Sequence, residues 1–216
     1  MLLKRSVALL ISACVLLLSG CASMDKAEGS KHFDVKTRTV RQADLAKIHV
    51  FSVNGAFSVQ QVTQKPVIAN FIWEQTNRKD YRIGITSALG LYHIEITHQY
   101  NSVQLWKNST HVFTAKTPEA LMQEAVGWSL PVSEMFHWIK GMPMPGVTYH
   151  AQYDYYGHLI SLKQMGWVIT YRVYQQYANG VDLPHEIMME RPGFAVKIVM
   201  KNWVLPMERI HVEVVG

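Results

Sequence analysis

Cys21 is the residue whose surroundings point most directly to chemistry. It follows Leu18, Ser19 and Gly20, and small residues in front of a cysteine fit the cleft of a signal peptidase. This order is typical of a bacterial lipoprotein signal, in which the cysteine thiol accepts a diacylglyceryl group and becomes the first residue of the mature chain. Ala22 follows, and a residue other than Asp there favours onward transport. The sequence therefore predicts a lipid anchor on Cys21 and a place on the periplasmic face of the outer membrane.

The segment before Cys21 has the parts of a signal peptide. Lys4 and Arg5 supply positive charge, and residues 7–18 form an apolar run that is too short to span a bilayer. We therefore expect residues 1–20 to be removed. The alternatives are an ordinary signal peptide or a short core helix that ends in cysteine.

Length, cysteine use and charge indicate one domain without disulfides. Residues 21–34 are small, polar and aperiodic, which predicts a flexible tether, and residues 35–216 are long enough for one domain with a sizeable core. The only other cysteine, Cys14, lies in the predicted signal peptide. The net charge of +5 is mildly basic without a Lys and Arg stripe, so we expect no nucleic-acid partner. The excess suits anionic lipid headgroups or simple solubility.

The common catalytic signatures are missing from the sequence. It has no glycine-rich phosphate loop, Gly-x-Ser-x-Gly elbow, Cys-x-x-Cys pair or His-Glu-x-x-His helix. The pair His185-Glu186 lacks a second histidine at the zinc spacing, and Ser129 lies where a turn between helices favours a small capping residue. We therefore predict no catalytic residue, no cofactor and no metal.

Periodicity predicts the elements that form the body of the chain. From Phe51 onward, runs of alternating apolar and polar residues are separated by turn residues, as in an antiparallel meander. Residues 35–48 favour a first amphipathic helix, Thr117 and Pro118 open a second, and a third ends at Gly141. The predicted fold is mainly β with α: a single antiparallel open half-barrel of about eleven strands, with helices covering its apolar concave face.

Several segments, in order and spacing, resemble the LolB family from about residue 40 to residue 205. They are Asn54-Gly55-Ala56-Phe57, Phe71-Ile72-Trp73-Glu74-Gln75, Asp80-Tyr81-Arg82, Thr86-Ser87-Ala88-Leu89-Gly90, Trp138-Ile139-Lys140-Gly141-Met142-Pro143 and Lys201-Asn202-Trp203. The resemblance implies an outer-membrane lipoprotein receptor that accepts acylated lipoproteins from the periplasmic carrier LolA and inserts them into the outer membrane without nucleotide. It implies a half-barrel, matching the periodicity. Residues 206–216 extend past it and receive no role.

The apolar strand and helix faces provide a predicted lining for an acyl-chain cavity. The alternative is that these residues simply fill the core. The predicted lining is Phe71, Trp73, Tyr81, Ile83, Ile85, Ile94, Ile96, Met135, Trp138, Trp167 and Ile198.

Leu89 is expected to lie exposed in a turn between two strands. In the LolB-like family an exposed leucine in this loop is associated with delivering cargo into the membrane. The family often has proline before it, whereas this chain has Ala88. The alternative is a turn leucine tucked against a neighbouring strand.

The expected partners are a LolA-type carrier, acylated lipoprotein cargo and outer-membrane phospholipid. The protein is expected to be a monomer. A second hypothesis is an envelope lipoprotein of the same shape that binds a lipid or a signalling peptide without relay. A third is an enzyme that acts on lipids, such as an acyl hydrolase.

Overall fold

The computed structural model describes residues 33–62, 64–126, 129–177 and 180–206. The predicted signal peptide, Cys21, most of the predicted tether and residues 207–216 lie outside the described residues. Within the described ranges, no helix is long and apolar enough to cross a membrane.

The described residues form eleven strands and three helices. The helices are α1 (Arg38–Ala46), α2 (Pro118–Val126) and α3 (Val132–Trp138). The strands are β1 (Phe51–Gln61), β2 (Val67–Gln75), β3 (Tyr81–Ser87), β4 (His93–Gln99), β5 (Ser102–Lys107), β6 (Thr110–Ala115), β7 (Tyr149–Tyr153), β8 (Leu159–Gln164), β9 (Trp167–Gln176), β10 (Asp182–Arg191) and β11 (Phe194–Val204).

All of these strands belong to one antiparallel sheet, whose order is β6-β5-β4-β3-β2-β1-β11-β10-β9-β8-β7. Strands that lie side by side in the sheet are consecutive in the chain, except at the centre, where β1 pairs with β11. A Cβ at Gly55 would collide with the carbonyl group of Val199, so glycine permits the close approach beside the register shift in this pair. Because β6 and β7 do not pair with each other, the sheet stays open, which confirms the predicted half-barrel.

Alternation along the strands directs one apolar face inward. On β11, Phe194, Val196 and Ile198 are buried, as the sequence predicts. On β9, alternation from Trp167 predicts that Val173 faces inward with Ile169 and Tyr171, but Val173 is exposed. Register shifts in the β9–β10 pair change the side of the sheet that Val173 faces.

Local capping explains where the helices begin and end. The hydroxyl groups of Thr37 and Thr117 accept backbone N–H bonds from Val40 and Ala120, at 3.3 Å and 3.2 Å. Apolar spacing in residues 35–48 predicts that Val40 lies with Leu45 on the buried side of α1, but the side chain of Val40 is exposed. Beyond α3, Gly141 takes a φ of +79°, the left-handed conformation that the sequence predicts.

A buried charged cluster ties α1 to the far half of the sheet. Arg41 Nη1 lies 2.8 Å from Asp182 Oδ2, and the same guanidinium donates to the carbonyl group of Tyr156. His158 Nε2 lies 3.2 Å from Asp182 Oδ2, and its Nδ1 lies 2.9 Å from Asp154. Burial raises the pKa of the Asp182 carboxyl, but hydrogen bonds from His158 and Arg41 outweigh burial and hold it below its usual value.

We predict that Asp182→Asn lowers the free energy of unfolding by about 3–5 kcal/mol, because Arg41 would remain buried without its counter-charge. Urea denaturation followed by circular dichroism measures this change. The matched control is Arg172→Gln, which removes a pair with Glu186 in which the arginine is exposed and should cost less than about 1 kcal/mol. Equal losses in the two variants would contradict a structural role for the cluster.

Candidate functional site

An apolar cavity lies between the concave face of the sheet and the segment that carries α2 and α3. Strands β1 to β4 and β11 supply one wall, and α2, α3 and their flanking residues supply the other. No charged or polar side chain lines it. The lining residues are Phe57, Phe71, Trp73, Ile83, Ile85, Ile96, Met122, Leu130, Val132, Met135, Ile139, Ile198 and Met200.

The structure brings most of the predicted lining residues together around this cavity. Those found there are Phe71, Trp73, Ile83, Ile85, Ile96, Met135 and Ile198. Their part in binding acyl chains stays a prediction. The cavity also includes residues that the sequence prediction left out, among them Met122 and Met200. Their apolar positions were visible in the sequence, but their convergence depends on the β1–β11 pairing.

The remaining predicted residues lie elsewhere. Trp138 is fully buried, and its indole N–H donates to Gln164 Oε1 at 2.9 Å. Trp167 packs edge-on against Phe194 at the far half of the sheet. Two further residues, Tyr81 and Ile94, also fall outside the cavity lining.

The cavity is nearly filled by its own lining side chains in this structure. The space open to the centre of a water-sized sphere is about 60 Å³, which is room for only a few water molecules. An acyl chain therefore requires the lining to move. Met122, Met135 and Met200 are suited to that adjustment, because methionine is unbranched and fills irregular gaps.

Leu89 lies in the β3–β4 turn with 81% of its surface exposed, so it is not tucked against a neighbouring strand. The turn is closed by the N–H of Gly90, which donates to the carbonyl oxygen of Ser87 at 2.8 Å. The N–H of Ala88 donates to the carbonyl oxygen of Ile68 at 3.3 Å, a bond that proline at this position could not make. Leu91 is 77% exposed, so the turn presents a second leucine that the sequence analysis missed.

Four other turns lie at the same end of the sheet as the Leu89 turn, because neighbouring strands are antiparallel. They join β1 to β2, β5 to β6, β8 to β9 and β10 to β11, and we call this end the Leu89 end. None of these five turns contains an acidic residue, and Lys65 lies in the β1–β2 turn. The adjoining strand ends add Lys107 on β5 and Arg191 on β10, with the exposed Glu190 beside it. The exposed apolar side chains at the tips are Val62, Leu89, Leu91 and Met165. The surface is therefore apolar and basic.

Lys140 is a second feature that the sequence analysis missed, although it belongs to one of the quoted segments. Its side chain is buried, with 1% of the residue's surface exposed. The ammonium group donates to the carbonyl oxygen of Ile48 at 2.9 Å and lies 3.7 Å from the ring centre of Phe136. Burial, together with the charge of Arg78, lowers the pKa of Lys140 to about 7.

Ser129, one of the residues weighed for catalysis, has a backbone carbonyl group as its partner. The hydroxyl group of Ser129 donates to the carbonyl oxygen of Leu130 at 3.4 Å rather than to an imidazole. Across the described residues, no group of three or more His, Cys, Asp or Glu side chains is placed to hold a metal ion.

We predict that Lys140→Met removes a pH-dependent part of stability. In the native protein the pKa of Lys140 is about 7, whereas the unfolded lysine titrates near 10.5, so the unfolded state binds more protons between these values. Stability of the wild type should rise with pH above 7, by at most about 1.4 kcal/mol per unit. Urea titrations from pH 6 to 9 measure the slope.

The control for this comparison is Lys163→Met, which makes the same change at an exposed position. It should keep the wild-type slope, while Lys140→Met should flatten it. Identical slopes in all three proteins would show that Lys140 titrates normally.

Comparison with known proteins gives a consistent result. Residues 49–203 match the family described as "Outer membrane lipoprotein LolB". The chain is 40% identical over 201 residues to a protein of Coxiella burnetii named outer-membrane lipoprotein LolB, which covers 93% of each chain. It is 31% identical over 206 residues to a Francisella tularensis protein of the same name, covering 93% of this chain and 95% of the other.

A solved structure shares the fold. A LolA-superfamily protein from Nitrosomonas europaea superposes with a TM-score of 0.53 and 12% identity, over 80% of this chain and 94% of that one. At this identity the likeness concerns the fold alone.

Proposed function

Because this chain belongs to the LolB family of outer-membrane lipoproteins, we propose that it accepts acylated lipoproteins from a LolA-type periplasmic carrier and inserts them into the outer membrane. Its own anchor would be the lipid on Cys21. The observation that carries the proposal is an entirely apolar cavity combined with exposed leucines at one end of the same sheet.

The physical need for such a cavity follows from the cargo. An acyl chain of about sixteen carbons exposed to water loses about 0.8 kcal/mol per methylene, or on the order of 13 kcal/mol. A lipoprotein with several chains would aggregate or stay in its membrane without an apolar container. The lining of aromatic, branched and methionine side chains offers that environment.

Transfer without nucleotide follows from graded affinity. A cavity that binds acyl chains better than the carrier does, and less well than the bilayer, lets cargo move downhill at each step. The small volume of the empty cavity favours an intermediate affinity, because part of the binding free energy is used to separate the helices from the sheet. Cargo would therefore be held less tightly than in a preformed cavity.

The Leu89 end supplies a surface suited to the membrane step. Burying a leucine side chain in an apolar environment contributes about 1.5–3 kcal/mol, and lysines near an anionic surface add about 1 kcal/mol each. Leu89 and Leu91 would enter the interface while Lys65 and Lys107 remain with the headgroups. This arrangement would hold the cavity above the bilayer.

The first test is a transfer assay with a LolA-type carrier loaded with radiolabelled lipoprotein. We expect the label to move onto the purified protein without nucleotide and to be recovered with it in a pull-down. A label that remains on the carrier, with this protein folded, would contradict the proposal and favour a protein that binds lipids or peptides without relay.

The second test separates membrane insertion from cargo binding. Leu89→Glu and Leu91→Glu should each leave cargo bound but slow its release into liposomes by at least about tenfold, because a charged side chain opposes entry into the interface. Release is measured by flotation of labelled cargo with the vesicles.

The control for this test is Tyr100→Glu, which introduces the same charge at an exposed turn at the opposite end of the sheet. It should insert cargo at the wild-type rate. Unimpaired insertion by both leucine variants would remove the proposed role of the Leu89 end.

A further inference from the structure

A cleft rich in positive charge opens at the end of the sheet opposite the Leu89 end. It has two adjoining lobes, of about 510 and 420 Å³, that share Arg78, Phe136, His137 and Pro145. The first lobe also touches Trp73 and Val132, which line the apolar cavity. We call this space the basic cleft; its cationic and imidazole side chains are His49, Arg78, Lys79, His98, Lys116, His137 and Lys140.

Carboxylates lie only at the border of the basic cleft, where Asp80 contacts His98 at 3.3 Å and Glu119 accepts from the N–H of Ser133. No Asp or Glu side chain is among the described residues that line either lobe. Within the described part of the chain, neither Arg78 nor Lys140 forms an ion pair with a carboxylate. Lys140 is buried against the carbonyl oxygen of Ile48 and the ring of Phe136, with no carboxylate as counter-charge. An anion in the cleft would supply that charge and favour the ammonium form.

Two imidazole nitrogens in the cleft are buried without a hydrogen-bond partner. Arg78 Nη2 lies 2.9 Å from His49 Nε2, and because a guanidinium can only donate, His49 accepts there and carries its proton on Nδ1. That Nδ1 atom is buried without a partner, as is Nδ1 of His137. Leaving such groups unsatisfied costs free energy that an acceptor in the cleft would recover.

The pKa values of both histidines are lowered, which favours the neutral imidazole that His49 needs to accept from Arg78. Burial, together with the charges of Lys140 and Arg78, lowers the pKa of His137 to about 4. The pKa of His49 is lowered by burial and then by Arg78 and Lys140. The cations therefore repel one another across the cleft, and a bound anion would relieve that repulsion.

We propose that the basic cleft binds a phosphate group through Arg78, His49, His137 and Lys140. A guanidinium fork and a nearby ammonium group suit tetrahedral phosphate oxygens, and the volume admits the group with its bridging waters. Two sources share this chemistry: free phosphate and the headgroup of an anionic phospholipid. If the source is an anionic phospholipid, the adjoining apolar cavity would bind its acyl chains. The site does not depend on the proposed delivery role.

The test uses the full chain anchored in phosphatidylcholine nanodiscs, with calorimetry against empty discs as the blank. One arm titrates inorganic phosphate. The other titrates dihexanoyl phosphatidic acid, with dihexanoyl phosphatidylcholine as the neutral match. Arg78→Gln should weaken phosphate binding about tenfold, because one charge-assisted contact is lost.

The matched control is Arg82→Gln, an exposed arginine paired with Glu95 outside the cleft, which should bind as the wild type does. Arg78 is itself exposed, so its replacement should leave folding intact, which urea denaturation checks.

Each outcome decides the proposal. Weaker binding in Arg78→Gln alone supports it; tighter binding of the acidic lipid than of phosphate identifies a headgroup, and equal binding identifies free phosphate. Absence of binding in both arms, or binding that Arg78→Gln leaves unchanged, overturns it. If Arg78→Gln binds phosphate and phosphatidic acid as the wild type does but no longer captures cargo in the transfer assay, the cleft is a protein-docking surface and the proposal fails.

Discussion

The pairing of β1 with β11 is the interaction on which the rest of the structure depends. It joins the first strand to the last and so unites two meanders into one sheet with a continuous concave face. That face is apolar along its length and must be covered, and the segment between β6 and β7 supplies the cover. Gly55 permits the close approach beside Val199. Without this pair, each half would expose an apolar surface.

Sequence periodicity predicted which residues face inward, and the capping residues Thr117 and Gly141 marked helix boundaries. Periodicity did not predict which residues along each strand border the cavity. Alternation identifies the side of the sheet that a residue faces, but not its distance from the cavity. Trp167 on β9 therefore faces inward but lies outside the cavity. The same holds for Trp138 on α3, because helical spacing also identifies a side and not the residue that borders the cavity. Val173 departs from the alternation of β9 because the β9–β10 pair contains register shifts, and the sequence of β9 alone does not reveal them.

The polar features that matter most were the hardest to predict. Lys140 lies just after the end of α3, where a lysine is ordinarily exposed to solvent. Its hydrogen-bond partner is nevertheless the carbonyl group of Ile48, far away in the chain. Arg41 likewise meets Asp182 only through the assembled sheet. Both contacts depend on tertiary structure, so the local sequence gave no signal of burial. The exposed Leu91 was accessible to sequence reasoning, since it flanks the same turn glycine as Leu89.

The length of the central strands separates the two ends of the molecule electrically. Strand β1 has 11 residues, which at about 3.3 Å per residue amounts to roughly 36 Å. The screening length at physiological ionic strength is about 8 Å. If the Leu89 end rests on the bilayer, the surface potential of the membrane is negligible at Arg78. The basic cleft would then respond to the ionic composition of the periplasm, and a lipid seated there must already have left the bilayer.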